Sequence, residues 1–169
     1  AQCYGLGDVE IISELQYHNI DYLAVAYTDE GVKMRKNGIT LPIIVLGAEV
    51  ESFEMMLQYQ LEPEIFNFYS LKELVKTLLL HPEIKQCKIH IKIDTGMHRL
   101  GFRKENIAEA LQIIQDNSQL RVASVFSHLA AAEDPSEDAF TREQIAYFED
   151  VTNIMKVTLG YSFLRHIAN

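Results

Sequence analysis

Lys92, Asp94, Thr95, Gly96, Arg99 and Gly101 stand close together in the run KIHIKIDTGMHRLGF, residues 88–102. A delocalised guanidinium with five donors in a fixed fork suits an anion or a phenolate oxygen. Glycines on either side of it allow the backbone to bend sharply or to approach a ligand closely. His128 follows a second strand-like run, RVASVFS, and adds an imidazole able to donate or accept a proton. The plainer readings are a solvent-facing loop arginine and a hydrogen-bonded histidine at a strand end.

Position along the chain argues for more. In KIHIKID the isoleucines 89, 91 and 93 alternate with His90, Lys92 and Asp94, so a strand here directs a polar set to one side. If apolar helices covered both faces, those groups would cost several kcal/mol each unless paired. Inside a barrel they can meet one another and a ligand.

The rest of the sequence supplies elements to hold such a site. Helix-like and strand-like segments alternate: a helix from Asp8 to about His18, a strand over Asp21–Ala26, and a helix capped by Thr28 and stopped at Asn37-Gly38. A strand over Leu41–Gly47, a helix over Ser52–Gln60 and a strand EIFNFY from Glu64 come next. Ser70 with Glu73 reads as a capping box opening a helix to about His81. After the motif strand come an amphipathic helix over Lys104–Asp116, the strand Arg121–Ser127, and a long helix from about Glu137 with Phe140, Ile145, Phe148 and Ile154 as its apolar residues. RHIAN begins one more strand. Such βα alternation implies a parallel sheet. An open doubly wound sheet and a barrel both satisfy it; the polar inward set favours an α/β fold of the TIM-type (β/α) barrel kind. About six strands are expected of the eight that closure requires, so the barrel is expected to be incomplete. Barrel chemistry sits at the C-terminal strand ends, where Asp94–Arg99 and Ser127-His128 fall; Tyr4, Gly5 and Gly7 would come after a strand preceding Ala1.

Composition narrows the partners. With 169 residues and 48% hydrophobic content, one domain over 1–169 is expected. A net charge of −9 argues against nucleic acid and anionic membranes as partners. Two cysteines, Cys3 and Cys87, and no long apolar run fit a cytoplasmic protein. No metal site is expected.

HIKIDTGMHRLGF resembles the barrel-domain signature of bacterial alanine racemases, pyridoxal-phosphate enzymes that make D-alanine for peptidoglycan. AQCYGLG resembles the segment just after the family's cofactor lysine, YLAVAYTDEGVKMRKNGITLPIIVLG the next two strands and their helix, SHLAAAED the THxAxADE segment, and RHIAN the opening of HxANSA. The resemblance runs along the whole chain in the family's order.

It implies a role for each matched residue. Tyr4 would hydrogen-bond the cofactor phosphate, Leu46 would pack near the pyridine ring, and Asn169 would precede the serine that also binds phosphate. Arg99 would stand by the cofactor's phenolic oxygen and the substrate carboxylate. Lys92 would carry a carbamate that pairs with Arg99; physically, an amine inside a barrel has its charged form disfavoured and can then react with carbon dioxide. His128 would buttress an arginine facing the pyridine nitrogen. Arg99, Lys92 and His128 are thus the expected catalytic set, and Tyr4, Leu46, Arg99, His128 and Asn169 the expected cofactor contacts. His98 departs from the glycine usual at its position.

The resemblance also places the Schiff-base lysine just before Ala1 and a second acid/base tyrosine in a C-terminal domain, donated across a homodimer. The 169 residues are therefore expected to be part of a racemase of alanine and inactive alone. A pyridoxal-phosphate homeostasis barrel and a racemase of another amino acid, such as serine, stay open as alternatives, as does fusion to a peptidoglycan ligase.

Overall fold

The computed structural model describes residues 5, 7 and 9–169 and divides between Glu64 and Ile65 into two units. Among the described residues, no helix is long and apolar enough to cross a membrane.

In the first unit α1 (Val9–Tyr17), β1 (Leu23–Val25), α2 (Thr28–Lys36), β2 (Ile43–Val45) and a 3-10 turn at Val50–Ser52 with α3 (Phe53–Gln58) succeed one another, and β3 (Glu62–Ile65) ends one residue past the division. β1 pairs with β2, and β2 with β3, both parallel, in the registers Leu23↔Ile43 and Ile44↔Glu62. All three residues of β2 are buried, as expected of a parallel strand covered on both faces. Ile12, Val25, Ile43, Val45, Phe53 and Met56 lie in the core. Arg35 fastens the unit by donating to the carbonyls of Ile39, Leu41, Tyr59 and Gln60. Asn37-Gly38 ends α2 as anticipated, with Gly38 at φ +82°. Thr28 is not the N-cap. That position is Tyr27, and the Glu30 carboxylate turns back to accept from the Ala26 and Tyr27 N–H groups at 3.0 and 3.3 Å. Thr28 instead donates its hydroxyl to Ser52.

The second unit contains α4 (Phe68–Leu79), β4 (Cys87–Lys92), α5 (Lys104–Gln115), β5 (Leu120–His128), a 3-10 turn at Pro135–Glu137 running into α6 (Asp138–Leu159), and β6 (Leu164–Ala168). β4, β5 and β6 pair in parallel. Two expectations need correction. EIFNFY is a strand only to Ile65; Asn67 caps α4 by accepting from the Ser70 N–H at 2.8 Å, so Phe68 and Tyr69 are helical and Ser70 is not the cap. On α6 the buried stripe is Gln144, Phe148, Val151, Thr152 and Met155, whereas Ile154 is 40% exposed.

The register between β4 and β5 shifts between Ile89 and His90. Ile89 faces Val122 and His90 faces Ser124, so Ala123 is an extra residue on β5. This bulge brings Ser124 to His90, whose Nδ1 lies 2.7 Å from Ser124 Oγ. His90 is 0% exposed; the polar side of KIHIKID is thus satisfied within the sheet at its first member.

Candidate active site

The end of β4 is built to hold a loop. Phe102 N–H donates to Lys92 O and Asp94 N–H to Phe102 O, at 2.9 and 3.0 Å, so both ends of residues 94–101 are pinned to the strand. Gly101, at φ +131°, lies so close to that strand that a Cβ would stand 2.4 Å from Asp94 N. Inside the loop, Asp94 Oδ1 accepts from the N–H groups of Gly96 and His98, and Oδ2 lies 3.3 Å from the His98 ring and 4.0 Å from Arg103 Nε. Desolvation pushes the Asp94 carboxyl upward, but these N–H donors and His98 outweigh it and hold it below the usual aspartate range. His98 itself sits at φ +56°, the left-handed conformation that glycine adopts without cost.

Arg99, exposed at the top of the loop, shares one hollow with Lys92, Asp94, Met97, Ser127 and His128. Three of the residues singled out from the sequence therefore meet. Lys92 is half-buried, its ammonium 4.9 Å from the centre of the Phe126 ring. His128, at the end of β5, is pushed below the ordinary histidine value, first by desolvation and then by the positive charges of Arg99 and Lys92. A histidine held neutral beside two cations keeps an acceptor nitrogen.

The other expected contacts lie elsewhere along the strand ends. Asn169 comes directly after β6, beside His128 in sequence register, since His128 pairs with Ala168 and Leu129 N–H donates to Ala168 O; its side-chain amide donates to Glu133. Leu46, in the first unit, comes directly after β2 and is 38% exposed, an apolar side chain at a strand's C-terminal end. Tyr4 lies outside the described residues.

Residues that the sequence motifs do not mark bond to the loops and strands that carry the site. Gln144 on α6 is 1% exposed and bonds to both the β4 and the β5 loops. A signal for it was present: Phe140, Gln144, Phe148, Val151 and Met155 recur at helical spacing, with one amide inside an apolar stripe. Ser124 and His166, which join His90 in a line across three strands, had no signature beyond the strand pattern.

Parallel βα units with Lys92, Arg99 and His128 gathered at the C-terminal strand ends are the arrangement of a (β/α) barrel domain. A family model described as alanine racemase, N-terminal domain, matches residues 1–169, and the chain belongs to that family. The alanine racemase of Thermodesulfovibrio yellowstonii is 36% identical over 170 residues, covering 100% of this chain and 44% of that protein. That of Synechocystis is 33% identical, covering 100% and 45%. An amino-acid racemase of Enterococcus faecalis is 35% identical over 96% of this chain and 24% of its own length. Among solved structures, alanine racemase of Clostridium difficile 630 has a TM-score of 0.86 at 28% identity, covering 97% of this chain and 45% of that one. Alanine racemase of Bacillus anthracis with bound L-Ala-P has 0.84 at 26%, covering 99% and 43%. The chain spans less than half the length of these relatives. The fold is that of their TIM-type barrel, here with β1 to β6, fewer than the eight strands of a closed one.

Proposed function

We propose that these residues form the cofactor-binding part of a pyridoxal-phosphate-dependent racemase interconverting L- and D-alanine, a homodimeric cytoplasmic enzyme supplying peptidoglycan synthesis. The observation that carries the reading is the loop after β4, which holds Arg99 over a hollow shared with Lys92 and His128.

The donor set suits the cofactor. Arg99 lines the hollow as a permanent cation, while Oδ1 of Asp94, its one carboxylate, accepts from the Gly96 and His98 N–H groups of its own loop. The site thus favours an anionic oxygen, which a phenolate or a substrate carboxylate provides. Tyr4 and Asn169 would hold the phosphate and Leu46 would pack on the ring. When bound, pyridoxal phosphate supplies an electron sink that acidifies the α-hydrogen of an amino acid. Arg99 binds and orients the anionic oxygens. Lys92, as a carbamate, neutralises Arg99 and fixes its guanidinium. His128, held below the ordinary histidine value by its surroundings, would accept a hydrogen bond from the arginine that the resemblance places outside residues 1–169, facing the pyridine nitrogen.

The test is racemisation of L-alanine by the full-length protein, with and without added pyridoxal phosphate, beside its Arg99→Leu variant. The expected result is cofactor-dependent D-alanine formation, reduced on the order of 100-fold in the variant, as for loss of one charge-stabilising donor. No turnover of alanine by the loaded wild-type protein would overturn the assignment. The name of the Enterococcus faecalis relative favours a second reading, a broader amino-acid racemase; L-serine racemised at a kcat/KM matching that of L-alanine would select it.

A further inference from the structure

Gln144 reaches the site without facing it. From α6, its Nε2 donates to Thr95 Oγ1 at 3.1 Å and lies 3.4 Å from His128 O, and its Oε1 accepts from Ala130 N–H at 3.1 Å. Thr95 Oγ1 lies 2.8 Å from Ser127 Oγ, and Ser127 donates to Ile93 O at 2.7 Å. These contacts fix the direction of every proton. Ser127 spends its hydrogen on a carbonyl, so Thr95 must donate to Ser127, and Thr95 can then only accept from Gln144. The result is a one-way line, amide to threonine to serine to carbonyl, buried along its length. One turn earlier on the same helix Phe140 presses on the loop backbone; a Cβ on Gly96 would stand 2.9 Å from the Phe140 ring.

From this we infer that Gln144 is a positioning residue, which clamps the β4 loop to the end of β5 and so sets where Arg99 stands relative to His128. Thr95 opens the loop whose crest is Arg99, and Ser127 immediately precedes His128, so the amide holds the two functional side chains through their own backbones. A glutamine is required for this. Glutamate at neutral pH has no hydrogen to give Thr95, and methionine has neither donor nor acceptor to match. The inference concerns placement within the second unit and rests on the proposed function only for its effect on turnover.

The experiment uses the full-length protein with Gln144→Glu, Gln144→Met, Thr95→Val and Thr95→Ser, reading the thermal midpoint and the NMR titration of His128. Because desolvation and then the charge of Arg99 hold His128 below the ordinary value, loosening the clamp, which changes both, is expected to move its midpoint up toward about 6.5 in Gln144→Glu, Gln144→Met and Thr95→Val. Thr95→Ser keeps the hydroxyl and should restore the wild-type titration. If the protein racemises alanine, kcat falls in the same three variants and recovers in Thr95→Ser. A role confined to packing would lower the thermal midpoint while leaving His128 titrating as in the wild type, and that result overturns the inference. Thr95→Val is nearly isosteric, so it supplies the titration if a Gln144 variant does not fold. A protein that fails to racemise alanine while its His128 midpoint still moves as expected would sink the proposed function and leave the clamp standing.

Discussion

The imidazole of His166 lies flat on the Phe126 ring, centroids 4.9 Å apart and planes 3° from parallel. Its Nε2 is 3.3 Å from Ser124 Oγ, which in turn is 2.7 Å from His90 Nδ1. The hydroxyl between the two histidines has one hydrogen and free lone pairs, so it can donate to one ring nitrogen and accept from the other. Ser124→Ala should therefore cost about 1–3 kcal/mol, the range for depriving a buried polar group of its partner. Chemical denaturation checks this, and a change within error would show that the line across the sheet is not stabilising.

Acid should destabilise the protein earlier than carboxylate protonation alone would. His128 is depressed by desolvation, then Arg99, then Lys92; His166 is depressed by desolvation, then His90. Below about pH 6.5 the unfolded chain takes up protons at these histidines while the folded one resists them. Their stabilisation is thus present above that pH and lost as pH falls through the folded-state values. Urea midpoints should decline between pH 7.5 and pH 5, and His166→Gln should flatten the decline. A flat wild-type profile over that window would contradict the depression of both histidines.

Lys92 is expected to carry a carbamate in the full-length protein. Its half-buried position at the hollow of Arg99 gives an added negative group a guanidinium partner. Native mass analysis in bicarbonate should show the increment of one carbon dioxide, absent in Lys92→Ala. A plain amine at every bicarbonate concentration would remove the carbamate and leave Arg99 to be neutralised by ligand.

Two glycines with left-handed backbone should respond very differently to alanine. At Gly38, φ +82°, an added Cβ meets nothing within 4 Å, so the cost is the conformational one of about 1–2 kcal/mol. At Gly101 the same Cβ would meet Asp94 N at 2.4 Å and Ile93 C at 2.6 Å, and backbone on a paired strand cannot yield. Gly101→Ala should cost more than about 3 kcal/mol and displace Arg99. Equal melting temperatures for the two variants would show that the loop is not pressed on β4.

How local a signal is decides whether the sequence discloses it. That Lys92, Arg99 and His128 would lie near one another was legible, because charged groups and glycines crowd into two strand-end segments. Gln144 stood in the apolar stripe of its helix, but a helical glutamine normally faces water, and its partners Thr95 and Ala130, at 3.1 Å each, come from distant loops that the stripe does not name. His90 announced itself as an inward polar residue, but its partner depended on the extra residue Ala123 in β5, a register shift that no periodicity reveals.

The start of α4 shows a strong local signal defeated by a short-range one. Phe66, Phe68 and Tyr69 favour a strand by type, yet Asn67 accepts from Ser70 N–H at 2.8 Å and its own carbonyl accepts from the Ser70 hydroxyl at 3.1 Å. Asn67 accepts both bonds; the first satisfies one of the free N–H groups of the helix N-terminus, and the strand ends at Ile65. Asn67→Ala should cost about 1 kcal/mol, and Asn67→Asp, which keeps the acceptor and adds a charge favourable at a helix N-terminus, should be neutral or slightly stabilising. Thermal melts of the pair decide it: if the aspartate variant loses as much as the alanine one, the side chain of residue 67 is not what starts the helix.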